Sequence, residues 1–236
     1  CSSYDNCHAP WGNTHEETLK LVRDNDFVSG QYVWTGFDYI GEPTPYGWPA
    51  RSSYFGIVDL AGFPKDVYYL YKSEWTDEPV LHLFPHWNWN PGQEVDLWCY
   101  YNNADEVELF VNGVSQGVRA KTKDCLHTMW RTVYEPGTIE VVAYKDGKEV
   151  SRNARHTAGE PAQIRLVMEQ YGEGAADDAL AFVSVEILDK DGNLCPSAEN
   201  QVSFELEGDS AFIAGVDNGN PISMERFKDN KRKAFY

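Results

Sequence analysis

The chain has 236 residues, 42% of them hydrophobic and 24% charged, enough for one large domain or two to three small ones and too apolar for a disordered or collagen-like segment. Twenty basic against thirty-seven acidic side chains leave a formal charge of -17, which repels phosphate backbones and anionic bilayers, so no nucleic-acid partner is expected. No apolar run approaches the roughly eighteen residues of a spanning helix, and a chain that opens at Cys1 with no leader pattern reads as an internal or processed piece.

In chain order, Thr14 and Glu17 stand three apart before a helical run through Leu19, Leu21 and Val22, the pattern of a capping box. Asp24-Asn25-Asp26 stops that helix. Gln31-Tyr32-Val33-Trp34-Thr35 predicts a strand, being rich in aromatic and β-branched residues. Pro64 suits a first helical position, and Val67, Tyr71 and Trp75, with Tyr68 and Leu70 beside them, then mark one helix face. The long stretch between, Gly36 to Phe63, holds Gly41, Pro43, Pro45, Gly47, Pro49 and Gly56 among others, and loops of that length are usually functional. One parallel strand between two helices cannot enclose a core, so this section must complete something larger.

From about Glu78 the period changes to two. Val95, Leu97, Cys99 and Tyr101 alternate with Glu94, Asp96, Trp98 and Tyr100, and Val107, Leu109 and Val111 follow in the same manner. Asn112-Gly113 and Asp146-Gly147 provide hairpin turns, and Pro136-Gly137 precedes Ile139, Val141 and Ala143. These half-buried strands predict an Ig-like sandwich ending near Thr157. A second all-β section begins near Glu160 with Ile164, Leu166 and Met168, then Val183, Val185 and Ile187, then Val202, Phe204 and Leu206. It reads as incomplete at Tyr236, and the basic run from Arg226 to Lys233 reads better as a polar turn than as an interaction tail.

Candidate chemistry is sparse. The cysteines Cys1, Cys7, Cys99, Cys125 and Cys195 lack metal or redox spacing, leaving a Cys1 to Cys7 bridge or, more simply, ordinary thiols. His82, His86, His127 and His156 form no helical pair, Asp189-Lys190-Asp191-Gly192-Asn193 lacks the later ligands of a calcium loop, and no nucleotide or serine-hydrolase motif occurs. No metal or cofactor is therefore predicted. Aromatic residues make up 14% of the chain, with seven of eight tryptophans before residue 99, which suits either a carbohydrate-facing surface or a ring-rich core. Trp34 would end a strand and could offer its ring to a sugar, while Asp38 and Glu42 read equally as loop caps or ligand contacts. They do not suit the paired carboxyls of a glycosidase, because both lie on one loop.

The run QYVWTGFDYIGEPTPYGWP, Gln31 to Pro49, followed by SSYFGIVDLAGFPKDVYYLYKSEW, Ser52 to Trp75, resembles the end of the catalytic barrel in bacterial glycoside hydrolase family 2 β-galactosidases. SSYDNCHAPWGNT, Ser2 to Thr14, is similar to the loop after their nucleophile strand. PHWNWNPG, Pro85 to Gly92, VELFVNG, Val107 to Gly113, and YEPGTIEVVAYKDGKEV, Tyr134 to Val150, resemble the Ig-like domain that follows the barrel, and the last section resembles an invasin-like β domain. The resemblance implies a mainly β chain: residues 1–76 as the C-terminal part of a (β/α)8 barrel, 77–157 as an Ig-like sandwich, and 158–236 as a second, truncated β domain. It implies a retaining exo-glycosidase acting on terminal β-galactosides, periplasmic or extracellular, whose two catalytic glutamates lie upstream of Cys1, so none is expected in this chain. Trp34 becomes the platform of the galactose subsite, Glu42 and Asp38 contact hydroxyls, and Tyr4 and Asp5 stand near the nucleophile. The alternatives are a carbohydrate-binding or scaffold module built on Trp87, Trp89 and Trp98, and, within the family, a β-glucuronidase or β-mannosidase. A glucuronidase needs a cation for its substrate's carboxylate, and Arg51 is the only basic residue from Gly30 to Phe63.

Overall fold

The computed structural model describes residues 3–170, 180–209 and 211–236. Cys1, one end of the disulfide considered above, lies outside them. The protein is mainly β. Helix α1 (His15–Arg23) starts at the expected box, with the Glu17 amide donating to Thr14 Oγ1 at 3.3 Å and the Thr14 amide to Glu17 Oε2 at 3.2 Å. Helix α2 (Asp66–Trp75) starts later than Pro64. Pro64 is instead bridged to Val58, and the Lys65 amide donates to the Ile57 carbonyl at 3.0 Å, so both residues stay extended before the helix begins. Its buried residues are Leu70, Tyr71 and Ser73, while Trp75 is exposed despite its place in the four-residue spacing.

The predicted strand at Gln31–Thr35 is not formed. Pairing starts at its end and runs against residues 55–58: the Thr35 amide donates to Phe55, Ile57 to Thr35, Val58 to Gly36 and Asp38 to Val58. The reason is the one that made the section incomplete, since a parallel strand needs hydrogen-bonded neighbours on both sides and residues 1–76 supply only one loop.

The middle section forms seven antiparallel strands: β1 (Leu81–Phe84), β2 (Glu94–Tyr101), β3 (Glu106–Val111), β4 (Val114–Arg119), β5 (Thr128–Val133), β6 (Thr138–Lys145) and β7 (Lys148–His156). They make two sheets, β1-β2-β5 and β4-β3-β6-β7. Between them lies a core of Val95, Leu97, Cys99, Tyr101, Val107, Leu109, Val111, Ile139, Val141 and Ala143, every one an inward position of the period-two pattern, joined by Leu83, Trp87, Trp130 and Tyr134. Asn112-Gly113 and Asp146-Gly147 adopt positive φ at all four residues, as tight hairpins require.

Sheet β1-β2-β5 is half-buried along β5 but covered on both faces at the end of β2. Trp98 and Tyr100, predicted to face outward, are buried against Leu19, Leu70, Tyr71, Phe84 and Leu126, with Tyr4, Val33, Ile57 and Val67 packed alongside. The first section thus buries its two helices on the back of the sandwich. At about 25 cal/mol per Å² of apolar area, that shared cluster is worth several kcal/mol. It ties the two sections into one packed unit.

The third section holds β8 (Gln163–Gln170) paired with β9 (Ala181–Leu188), and a short pair of β10 (Gln201–Ser203) with β11 (Lys231–Lys233). Its core is small: Ala158, Ile187, Cys195, Ala198 and Val202. Ile164, Leu166 and Met168 alternate as predicted but remain exposed. The basic run ends in β11, where Arg232 is buried, paired with Asp217 at 2.6 Å and stacked over Phe227, so it is a structural element. Asp189 closes the turn at 189–193, accepting from the amides of Gly159, Asp191 and Asn193 and from Asn193 Nδ2; these donors hold its carboxyl well below the ordinary range.

Candidate functional site

The segment from Trp34 to Glu42 is shaped by its pairing. Tyr39 and Ser53 face each other, the Ser53 amide donating to the Tyr39 carbonyl at 2.9 Å, and the Gly41 amide donates to the Arg51 carbonyl at 2.8 Å. Gly41 and Glu42 then take positive φ of 96° and 47°, which turns the chain sharply and swings the Glu42 side chain back. The Tyr39 hydroxyl donates to the Glu42 carboxylate, and that hydrogen bond is the main reason the Tyr39 phenol is pushed up. Trp34 meets the ring of Tyr39 edge-on at 6.4 Å and leaves 72% of its surface open. Phe37 and Trp48 are also exposed, so this loop presents rings beside one oriented carboxylate. Flat apolar rings next to a hydrogen-bonding acid are the two kinds of contact a pyranose offers surface for.

Asp38 sits differently. Its side chain is 6% exposed and is held by Lys65 Nζ at 2.5 Å, Ser53 Oγ at 3.0 Å and the Gly56 amide at 2.8 Å. The carboxylate thereby joins the segment after Trp34 to the approach to α2. Gly56 has to be glycine, since a Cβ there would lie 2.2 Å from the Asp38 amide nitrogen.

Tyr4 and Asp5 are drawn into the packing. The Tyr4 hydroxyl donates to the Asp96 carbonyl at 2.6 Å, its ring lies on Trp98 and Phe84, and burial with the nearby Asp96 carboxylate pushes its phenol up to about 12. Asp5 accepts from the His15 and Glu16 amides at 2.9 and 2.7 Å, capping the start of α1. Sequence patterns alone did not reveal Tyr39, Lys65 and Arg51 as partners of this loop; the sole hint was that Arg51 is the only base in it.

Trp87 and Trp98 are buried and Trp89 packs against the sandwich core, its indole donating to the His86 carbonyl at 2.8 Å. The surface that a carbohydrate-binding module would need from these rings is therefore consumed by packing. The cavity of the third section, among Val185, Ile187, Val202 and Phe204, measures about 120 Å³, below the roughly 300 Å³ at which ligand pockets begin.

One group of metal-type donors does come together in three dimensions: Glu16, Cys125 and His127, with ligand atoms within 4.8 Å of one another. No helical spacing could announce it, because α1 and the segment before β5 supply one side each. These donors already satisfy one another. Glu16 accepts from His127 Nδ1 at 2.7 Å and the Leu126 amide at 3.0 Å. Burial pushes its carboxyl up, but these partners outweigh burial and leave it lowered. The His127 ring stacks on Trp98 at 3.7 Å, and burial raises the Cys125 thiol, which disfavours the thiolate a soft metal needs. The cluster is a staple between α1 and the sandwich.

Residues 92–151 match a domain of unknown function, DUF4982, and residues 164–236 match the glycoside hydrolase family 2 C-terminal domain 5. The chain is 72% identical to the β-galactosidase BoGH2A of Bacteroides ovatus over all 236 of its residues, which are 28% of that protein's length. Its fold matches the crystal structure of a β-glycosidase from Bacteroides vulgatus with a TM-score of 0.90 and 36% identity, over 100% of this chain and 30% of that one. It also matches a β-glucuronidase from glycoside hydrolase family 2, with a TM-score of 0.66 and 25% identity, over 84% of this chain and 20% of that one. The chain thus spans less than a third of each of these relatives. With a family C-terminal domain matched in its last section and relatives aligned along the whole of it, this chain belongs to glycoside hydrolase family 2.

Proposed function

We propose that the chain supplies the sugar-positioning end of the catalytic barrel, residues 1–76, together with two accessory β domains, 77–157 and 158–236, to a retaining exo-glycosidase of terminal β-galactosides. The observation that carries this reading is the exposed Trp34 face beside a Glu42 carboxylate aimed by Tyr39. Trp34 serves as the platform for the apolar face of the pyranose, and Glu42 accepts from a sugar hydroxyl. Asp38, held by Lys65 and Ser53, carries the loop that presents both. Tyr4 and Asp5 hold the neighbouring loop near the nucleophile's place. Reaction itself belongs to two glutamates outside these residues: one protonates the leaving oxygen while the other attacks the anomeric carbon. A rigid ring and carboxylate raise the rate by fixing the pyranose for that attack, and count toward it only as far as they hold the transition state more tightly than the substrate.

A neutral sugar is favoured by Arg51, the one base from Gly30 to Phe63, whose Nη2 donates to the Ser223 carbonyl and so draws the guanidinium toward the 217–225 turn. The second reading, a β-glucuronidase, draws on the family relative of that activity. Parallel assays of the parent-length protein on chromogenic β-galactoside and β-glucuronide decide between them, faster galactoside turnover being expected. The 236-residue chain alone should turn over neither, and robust hydrolysis by it would contradict the placement of the catalytic acids. In the parent-length protein Trp34→Ala removes a ring that covers roughly 150 to 250 Å² and should lower kcat/KM by about two orders of magnitude. An unchanged value would remove Trp34 from the site. A periplasmic or extracellular address goes with this reading, and fractionation of the source cells tests it.

A further inference from the structure

The third section reaches back to the loop that carries Trp34 and Glu42. The Arg51 amide donates to the Pro221 carbonyl at 3.0 Å, and the Arg51 guanidinium donates to the Ser223 carbonyl through Nη2. On its other side the Arg51 carbonyl accepts from the Gly41 amide at 2.8 Å, one residue before Glu42. Arg51 is therefore clamped between the turn at 217–225 and the turn that aims Glu42. The approach is close along its length: a Cβ on Gly219 would lie 2.1 Å from Asp59 Oδ2, and Gly219 has a φ of 72°. Asp59 cannot easily retreat, since its Oδ1 accepts from the Ala61 and Phe63 amides at 2.8 and 2.9 Å.

We propose that Arg51 is a positioning residue through which the 217–225 turn of the accessory β domain sets the orientation of Glu42 and hence the affinity of the sugar subsite. The idea rests on the reading of Glu42 as a sugar contact given above. Two peptide groups and one guanidinium link a domain with no part in the chemistry to the acid that holds the substrate. Removing the guanidinium link loosens the Arg51 backbone from the 217–225 turn, and that backbone is what Gly41 and Glu42, both at positive φ, lean on from the other side. The chemistry of the absent glutamates is untouched, so the loss should fall on KM more than on kcat.

The test uses the parent-length enzyme with a chromogenic β-galactoside. Arg51→Ala, and Gly219→Ala from the opposite side of the contact, should each raise KM about tenfold with kcat nearly kept, and Arg51→Lys should recover part of the loss. The deciding readout is the cycle with Glu42→Ala: once Glu42 is gone, Arg51→Ala should cost nothing further, because partners that act as one unit are not additive. An equal loss in both backgrounds, or no loss from Arg51→Ala and Gly219→Ala, would overturn the proposal. Should Arg51→Ala fail to fold, Arg51→Met keeps the aliphatic stem and carries the same cycle. A silent Glu42→Ala would withdraw the sugar-contact reading and the link with it, whereas a damaging Glu42→Ala with silent Arg51 variants sinks the link alone. Loss of glucuronide turnover with galactoside turnover intact would make Arg51 a substrate contact instead.

Discussion

The middle sandwich and the Trp34 to Glu42 loop contain the same kinds of residue, rings and carboxylates, and use them in opposite ways. In the sandwich Trp87 and Trp130 are almost wholly buried and their indoles donate to the Glu135 and Gly117 carbonyls. In the loop Trp34, Phe37 and Trp48 stand open, and Glu42 is exposed and held by a single tyrosine. Seven strands enclose a core by themselves, whereas two helices and a loop cannot, so the first section buries its helices on the back of sheet β1-β2-β5 and leaves Trp34, Phe37 and Trp48 of its loop outside. The sandwich is the foundation, and the loop keeps its rings and one carboxylate on the surface of this chain.

This contrast breaks if substitutions in the two regions behave alike. Leu109→Ala, in the sandwich core, should cost about 3 to 4 kcal/mol in urea unfolding of the 236-residue chain, while Trp34→Ala should change that stability by less than about 0.5 kcal/mol. A comparable loss from both would mean that the Trp34 ring is packed. The staple between the regions comes next. Glu16→Ala strands the His127 and Leu126 N–H groups and should cost about 2 kcal/mol. Quenching of the tryptophan signal should change too, since Trp98 lies against His127.

Acid sharpens the same point. Burial lowers the His15 pKa from its ordinary 6.5 and partners lower that of Glu16 from its ordinary 4.5. In both cases the unfolded chain binds protons more readily, so the stabilisation is complete above each ordinary value and fades as pH falls through it. Unfolding free energy should thus drop in two steps, beginning near 6.5 and near 4.5. Glu16→Gln should flatten the lower step. A profile unchanged by that substitution would show that the staple is not what acid releases. Smaller still, Thr14→Ala should cost about 1 kcal/mol through the lost cap, and Leu166→Ser, on the exposed face of β8, less than about 0.5 kcal/mol.

Much of this was legible in local spacing. The capping box at Thr14 and Glu17, the inward positions from Val95 to Ala143 and the turns at Asn112-Gly113 and Asp146-Gly147 each depend on neighbours a few residues apart, and each is where the pattern puts it. The failures also have physical causes. Gln31–Thr35 has the composition of a strand, but among the described residues only its last one, Thr35, is paired, with the 55–57 segment. Trp98 and Tyr100 alternate as outward residues, yet their face is covered by helices from the first section.

At the site, the sequence marked Trp34, Asp38 and Glu42 as one group with two readings for the acids. Only the tertiary structure separated them, drawing Asp38 inward to Lys65 and leaving Glu42 out on its left-handed turn. The period, the caps and the tight turns were determined by the chain itself, because they arise from backbone geometry within one or two turns of structure. Which face is covered, which carboxylate is consumed and what Arg51 holds were decided by partners up to 172 positions away. Burial and hydrogen bonding act through space, and no local pattern records the far side of a contact.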